Sequence, residues 1–288
     1  MSTIQSIGVI GAGQMGGGIA QVAAVAGLNV TVFDAFPGAT EKCRGVHKKS
    51  LGKFVEKAKM TQAEADAALA RIRYVEALDG LRGSDWVVEA VVEDVKVKKD
   101  IFAKLAAMFP SDGVVLATNT SSISITEIAT AAGAGAHRVV GMHFFNPVPL
   151  MQLVEVIPGI QTSPDVTERT IALATRMGKT PLKANDRAGF ISNRVLMPMI
   201  NEAFYAWMEG VAEPEAIDGI MKLGCNFPMG PLRLADFIGL DTCAHIMNVL
   251  ADGLNNDRYR PCPLLRQLVT AGRLGDKAGR GVFEYAKK

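Results

Sequence analysis

Short apolar runs alternate with longer amphipathic stretches along the first part of the chain. The runs predict strands near residues 7–10, 30–33, 72–75, 86–92, 114–118, 138–145 and 151–157. The stretches between them predict helices near residues 38–58, 62–70, 95–108 and 164–177, with a first helix that begins after Gly16 and a short one that opens on Ser124. Strands that alternate with helices indicate an α/β domain, in which a mostly parallel sheet is covered on both faces.

The pattern changes near residues 186–189, where the β-branched runs end. Residues 190–208 are apolar on nearly all sides, which predicts a buried helix that Pro198 kinks or breaks. Shorter helices are predicted near residues 214–223, 232–238, 241–250 and 264–271. We therefore divide the chain into a sheet domain, 1–187, and an all-α domain, 188–288, for substrate binding and dimerisation. Because a wholly apolar central helix in so small a domain needs a partner to cover it, we expect a homodimer.

Composition narrows the classes of protein to which the chain can belong. Of 288 residues, 49% are hydrophobic and 21% are charged, with a net charge of +2. That balance lacks the basic excess of a nucleic-acid-binding protein, so no nucleic-acid partner is expected. The four cysteines have no metal-ligand spacing, so we expect reduced thiols and no metal site. Without a signal-peptide pattern or an apolar run of about 18 residues, a cytoplasmic protein with no membrane partner is expected.

The pattern G-x-G-x-x-G lies between the first predicted strand and the first predicted helix. Gly11 allows a tight turn, Gly13 lets a pyrophosphate approach the backbone, and Gly16 lets the helix pack on the sheet. The helix N-terminus, at Gln14 and Met15, offers N–H groups and a partial positive charge to the phosphates. These features predict a Rossmann-type domain that binds a dinucleotide.

The second predicted strand ends on Asp34, 23 positions after Gly11. An acid near this offset binds the adenosine ribose diol, and its charge repels the additional phosphate of NADP. No arginine follows Asp34 directly. The predicted cofactor is therefore NAD.

A second group of polar residues lies beyond the nucleotide fold. Of these, residues 119–122 come just past a strand end and residues 143–147 past the core of a strand, where ligands of open α/β sheets bind. His143 can act as general base in the oxidation of an alcohol, and Glu155 can fix the orientation of its ring. A tight hairpin about Pro147–Val148, however, would pair His143 with Gln152 and turn Glu155 to the opposite face. The residues alone therefore leave His143 open to a catalytic or a structural role.

Ser122 and Asn193 are two further polar candidates. The Ser122 hydroxyl can hydrogen-bond a reacting oxygen, although a serine between a strand and a helix is more often a cap. Asn193 lies in an apolar helical run, where a structural hydrogen bond is the commoner role of an amide. Their function, too, is left open by the residues alone.

Six motifs are spread along the chain, and the resemblance that they carry covers essentially its whole length. They are IGVIGAGQMGGGIA (7–20), VVEAVVED with the following lysines (87–99), ATNTSSISIT (117–126), MHFFNPVPLMQLVEVI (142–157), DRAGFISNRVLMPMINEA (186–203) and GPLRLADFIGLD (230–241). Through them the sequence resembles the 3-hydroxyacyl-CoA dehydrogenases, most closely the stand-alone bacterial 3-hydroxybutyryl-CoA type. The H-F-F-N-P stretch, with a glutamate twelve positions after its histidine, is the most specific of these motifs.

The resemblance implies reversible, NAD-dependent oxidation of an (S)-3-hydroxyacyl-CoA to the 3-ketoacyl-CoA, an activity of fatty-acid metabolism. It implies that His143 is the base and Glu155 its orienting acid. Ser122 and Asn193 match the residues that hydrogen-bond the C3 oxygen of the substrate. Cofactor contacts are implied for Glu93, Lys98, Ser122, Asn146 and Lys277.

The predicted helix 38–58 has a basic face. Lys49, Lys53 and Lys57 follow one another at i, i+4 and i+8. Such a run is usually a solvated surface, and the alternative is an anion site for the phosphates of CoA. Because the resemblance implies CoA contacts at Ser50 and Lys57, we expect Ser50, Lys53 and Lys57 to bind this part of an acyl-CoA.

Two other functions are compatible with a dinucleotide-binding domain. One is a dehydrogenase of a free hydroxy acid, which would not need the basic helix. The other is a non-catalytic NAD-binding relative, which would not need Ser122, His143, Glu155 and Asn193 together.

Overall fold

The computed structural model describes residues 4–286. The chain divides between Asp186 and Arg187 into two compact units. The first is built around a β-sheet and the second from helices, and we refer to them as the sheet unit and the helical unit.

Between residues 4 and 186 the sheet unit contains eight strands and six α-helices. The strands are β1 Ser6–Ile10, β2 Asn29–Phe33, β3 Ile72–Val75, β4 Trp86–Glu89, β5 Val115–Thr118, β6 Val139–Phe144, β7 Leu153–Pro158 and β8 Thr180–Lys183. The helices are α1 Gln14–Val25, α2 Ala39–Glu56, α3 Gln62–Ala70, α4 Val95–Met108, α5 Ile125–Ala129 and α6 Pro164–Arg176, and Leu78–Leu81 and Thr130–Arg138 are 3₁₀.

The strands form one sheet in the order β3-β2-β1-β4-β5-β6-β7-β8. Every neighbouring pair is parallel except β6 and β7. All residues of β4 and β5 are buried, as in strands covered on both faces. The predicted Rossmann-type, mostly parallel sheet is confirmed. Its strand order reverses between β1 and β4, and ligands of such sheets bind at the carboxyl ends of the strands beside this point.

The antiparallel pair β6–β7 decides how His143 and Glu155 meet. His143 lies directly opposite Glu155 in the register. The chain between the strands, residues 145–152, forms a wide loop in which Leu150 and Met151 donate to the Pro147 carbonyl at 2.9 and 3.0 Å. The tight hairpin considered from the sequence is therefore wrong, and the two side chains share one face of the sheet.

Strand β8 was not predicted from the sequence. It contains Pro181 and is mostly exposed. It lies at the edge of the sheet, where a proline is tolerated because one side of the strand needs no partner.

In the part of the helical unit that the structure describes, residues 187–286, five α-helices surround an apolar core of their own. They are α7 Ser192–Met208, α8 Pro214–Gly224, α9 Pro231–Ile238, α10 Leu240–Gly253 and α11 Pro263–Thr270, with 3₁₀ turns at Asp257–Tyr259 and Asp276–Ala278. Helix α7 continues through Pro198 without a break. It is buried on only part of its surface, since Val195 is 67% exposed.

Within residues 4–286 no single helix is long and apolar enough to cross a bilayer. The pair 231–238 and 240–253, bent by 97°, passes that test by length and composition alone.

Candidate active site

The glycine loop joins β1 to the N-terminus of α1. Gly11 has φ +101°, and a Cβ there would lie 2.4 Å from a main-chain oxygen. A Cβ on Gly16 would lie 1.8 Å from the Gly11 oxygen. At Gly13, the N-cap of α1, no atom of residues 4–286 apart from its chain neighbours lies within 4 Å of the Cβ position, so the space before the N–H groups of Gln14–Met15 is open. The loop therefore fits the pyrophosphate of a dinucleotide.

Asp34 follows the last residue of β2 and is held against this loop. Its carboxylate accepts hydrogen bonds from the Ala12 N–H at 2.7 Å and the Phe36 N–H at 2.9 Å. These two bonds fix the carboxylate beside the loop, where a ribose diol can donate to it.

A buried ion pair lies at the ends of β4 and β5. The Lys98 ammonium donates to Glu89 at 2.7 Å, and the Thr118 hydroxyl donates to the other Glu89 oxygen, also at 2.7 Å. Both charged side chains are fully buried. Glu89 was not predicted from the sequence, although a carboxylate inside an apolar strand signals a buried partner. The contact of Lys98 with the cofactor stays a prediction.

Glu93 connects this ion pair to Ser122. One Glu93 oxygen accepts from the Thr120 hydroxyl at 2.6 Å, the Ser121 N–H at 2.9 Å, and the N–H and hydroxyl of Ser122, both at 3.0 Å. Burial raises the pKa of Glu93, but the charge of Lys98 and these hydrogen bonds outweigh it, so the pKa lies below its ordinary value. Glu93 is therefore ionised at neutral pH and fixes the position of Ser122.

His143 and Glu155 form a buried pair. His143 is 7% and Glu155 is 3% exposed. The ring nitrogen Nδ1 lies 2.8 Å from Oε2 of Glu155. A carboxylate only accepts, so Nδ1 carries the proton and Nε2 is the basic atom of the neutral ring. Phe145 packs beside the imidazole, with 4.6 Å between ring centroids. This is the arrangement of a general base oriented by an acid.

Asn119 connects the two strand ends that carry Ser122 and His143. Its side-chain oxygen accepts from the Phe144 N–H at 2.8 Å. Because β5 and β6 are parallel neighbours, Ser122, which follows β5, and His143, the penultimate residue of β6, lie toward the same edge of the sheet. The register and this bond bring the predicted polar residues of the sheet unit to one edge.

A cavity of about 750 Å³ lies within the sheet unit. Its lining includes cofactor residues predicted from the sequence, namely Gly13, Gln14, Asp34 and Asn146. It also includes the three residues predicted to bind CoA, namely Ser50, Lys53 and Lys57. The two sets thus face one space large enough for a nucleotide-sized ligand.

Asn193 and Lys277 belong to the helical unit. Asn193 lies in the first turn of α7 and is 8% exposed. The Lys277 ammonium donates to Asp241 at 2.7 Å. Their contacts with substrate and cofactor stay predictions.

A metal site was not expected. Across residues 4–286 no group of three or more His, Cys, Asp or Glu residues is arranged to hold a metal ion.

Comparisons with known proteins bear on both units. A family model of the 3-hydroxyacyl-CoA dehydrogenase NAD binding domain matches residues 6–187, and one of the C-terminal domain of that family matches residues 189–285. The chain is 57% identical to a probable 3-hydroxybutyryl-CoA dehydrogenase of Deinococcus radiodurans, over 96% of the chain and 99% of the relative. It is 52% identical to a probable 3-hydroxybutyryl-CoA dehydrogenase of Bacillus subtilis, over 99% of each.

A solved structure agrees with these matches. The crystal structure of an (S)-3-hydroxybutyryl-CoA dehydrogenase from Ralstonia eutropha is similar with a TM-score of 0.95 and 47% identity, covering 99% of this chain and 100% of that one. The resemblance seen in the motifs is confirmed. The chain belongs to the 3-hydroxyacyl-CoA dehydrogenase family, and it is an oxidoreductase that carries the NAD-binding domain of that family.

Proposed function

We propose that this enzyme interconverts (S)-3-hydroxybutyryl-CoA and acetoacetyl-CoA with NAD as its cofactor. The observation that carries the proposal is the buried His143–Glu155 pair, 2.8 Å apart, on the sheet that also bears the glycine loop. The relatives named 3-hydroxybutyryl-CoA dehydrogenase support the four-carbon substrate.

The proposed reaction couples a proton transfer to a hydride transfer at C3. His143 takes the proton of the C3 hydroxyl on Nε2, and the Glu155 carboxylate stabilises the resulting imidazolium. Ser122 hydrogen-bonds the C3 oxygen, and Asn193 keeps its family-implied role as a second partner of that oxygen. When bound, NAD supplies the hydride acceptor. In the reverse direction the imidazolium returns its proton to the developing alkoxide.

Cofactor binding is assigned to residues of the sheet unit, with Lys277 as a further contact. The loop residues Gly11, Gly13, Gln14, Met15 and Gly16 face the pyrophosphate, and Glu93, Lys98, Ser122 and Asn146 serve the nicotinamide end. Asp34 binds the adenosine ribose. Its carboxylate, held by the Ala12 and Phe36 N–H groups, supports NAD over NADP because a 2′-phosphate would meet a fixed negative charge.

The basic face of α2 serves the CoA end of the substrate. Ser50, Lys53 and Lys57 line the 750 Å³ cavity. Lysine ammonium groups attract phosphates without directional demands, which suits the flexible nucleotide end of CoA. A substrate without phosphates would leave this face unused.

A homodimer formed through the helical unit completes the proposal. Ile220 and Leu223, three positions apart on α8, are 63% and 90% exposed. Val195 on α7 and Phe237 on α9 are 67% and 47% exposed. Exposed apolar side chains on so many helices support burial against a second copy.

One assay separates this function from its rivals. NADH consumption is measured with acetoacetyl-CoA, longer 3-ketoacyl-CoAs and free acetoacetate, and then with NADPH in place of NADH. We expect the highest kcat/KM for acetoacetyl-CoA with NADH. Equal turnover of free acetoacetate would favour the hydroxy-acid dehydrogenase, and NADH binding without turnover of any substrate would favour the non-catalytic relative.

A further inference from the structure

Gln21 is a buried amide on the wall of the cavity. It lies on α1, is 4% exposed, and lines both the 750 Å³ cavity and a neighbouring cavity of about 320 Å³. Within residues 4–286 the structure gives its carboxamide no hydrogen-bond partner. The Gln21 amide atoms are not among the fully buried side-chain atoms that lack a partner, so the amide is reached from the cavity and is not sealed in the core. The position of Gln21 therefore indicates a group that awaits a ligand.

The helix around Gln21 is firmly held. The His47 ring bonds the Gly17 carbonyl at 2.7 Å and the Tyr74 hydroxyl at 2.6 Å, which ties α2 to α1 and β3. At Gly18, a Cβ would lie 2.7 Å from the Cβ of Val148, so the loop 145–152 packs directly on α1. A side chain on such a rigid element presents its amide in a defined place.

The position of Gln21 along α1 argues against a contact with the dinucleotide. Gln21 lies seven residues beyond Gln14, or about 10 Å along the helix axis from the terminus that faces a pyrophosphate. Asp34, the acid proposed for the ribose, accepts a hydrogen bond from the Ala12 N–H, which lies in the loop before α1. We therefore assign Gln21 to the second ligand of the proposed function, the acyl-CoA.

We propose that the Gln21 carboxamide hydrogen-bonds an amide of the pantetheine arm of the acyl-CoA. This inference rests on the proposed function. A carboxamide has both a donor and an acceptor, which matches the secondary amides of pantetheine. Lys53 and Lys57 line the same cavity and would hold the phosphates, while the thioester must reach His143. Pantetheine is the part of CoA that spans the distance between them.

The test compares CoA with 3′-phospho-ADP, which lacks the pantetheine arm, by titration calorimetry. Gln21→Leu removes the amide and keeps the volume, and Gln21→Met is a second variant of similar length. We expect CoA to bind about three- to tenfold more weakly to either variant. Binding of 3′-phospho-ADP and of NADH should match that of the wild-type protein. Gln152→Leu is the matched control. Gln152 is exposed, and it lines the smaller cavity but not the cavity of about 750 Å³.

Several results would overturn the assignment. Unchanged CoA binding in both Gln21 variants would do so, as would an equal loss for 3′-phospho-ADP or for NADH. If Gln152→Leu weakened CoA binding equally, the effect would not belong to Gln21. If the wild-type protein turns over acetoacetyl-CoA and the Gln21 variants bind CoA as tightly as it does, this inference alone is refuted. If the wild-type protein binds no CoA, the proposed function is refuted as well.

Discussion

Glu155→Gln should slow catalysis while leaving cofactor binding unchanged. Glutamine keeps the size of the side chain and can still accept a hydrogen bond from Nδ1 of His143. It removes the negative charge that stabilises the imidazolium formed when His143 takes the substrate proton. The change therefore acts on the transition state and not on the ground state.

The magnitude follows from the geometry of the pair. Glu155 is 3% exposed, and its oxygen lies 2.8 Å from Nδ1. A hydrogen bond to a charged group contributes about 1.5–3 kcal/mol. If that amount is lost from the transition state, kcat falls roughly 10- to 150-fold.

The assay is steady-state reduction of acetoacetyl-CoA, followed by NADH absorbance, together with NADH binding by fluorescence. Glu168→Gln, an exposed change on α6, controls for the loss of one negative charge. A kcat equal to that of the wild-type enzyme in Glu155→Gln would refute the reasoning. An equal loss of kcat in Glu168→Gln would show that the effect is not specific to the pair.

Three further predictions test other parts of the molecule. Lys57→Ala should raise the KM for acetoacetyl-CoA most strongly at low salt, because ions screen the attraction to phosphate. Lys48→Ala, a change of an exposed residue on α2 outside the cavity, should leave the KM unchanged. An effect of Lys57→Ala on KM that does not vary with salt would contradict this prediction. Burial lowers the pKa of His47, so the unfolded chain binds the proton more readily and stability falls as pH drops through about 6.5. The free energy of unfolding, measured with urea, should therefore decrease less between about pH 7 and pH 5 in His47→Gln than in the wild-type protein. An equal decrease would argue against a buried neutral ring. Leu223→Glu should convert the proposed dimer to a monomer in sedimentation equilibrium at micromolar concentration, and a variant that stays dimeric would exclude α8 from the interface.

Most strands were predictable because their hydrophobic patterns are strong and local. The strand β3, Ile72–Val75, has the bounds that its apolar run predicts. The strand β4 ends at Glu89, earlier than the run 86–92 predicts, because the Val91 N–H donates to the Glu89 side chain at 2.7 Å and not to a neighbouring strand. Strand β8 escaped prediction because its exposed residues and Pro181 carry no strand pattern.

The pairing of β6 with β7 could not be read from the sequence. Register in an antiparallel pair depends on the length and shape of the loop, and a shift of one residue turns every side chain to the other face. The wide loop 145–152 places Glu155 opposite His143, which a tight turn forbids. The motif indicated that the two residues act together, but only the fold shows the path by which they meet.

The buried charges of the site were also hidden from the sequence. Lys98 stands in a lysine-rich stretch, which is typical of a solvated surface, yet its side chain is fully buried. Its Nζ lies 2.7 Å from a Glu89 oxygen and 3.5 Å from a Glu93 oxygen. Burial of a lysine depends on partners from distant strands, such as Thr118, whose positions follow from the tertiary fold alone.

The most direct test of the central claim is the rate of acetoacetyl-CoA reduction by His143→Gln, with His137→Gln, a half-buried histidine outside the site, as control. Loss of a general acid–base group costs about 10²–10⁴-fold in rate. A loss of that size in His143→Gln, with NADH binding intact and His137→Gln fully active, is the predicted result. Turnover by His143→Gln close to that of the wild-type enzyme would contradict the account.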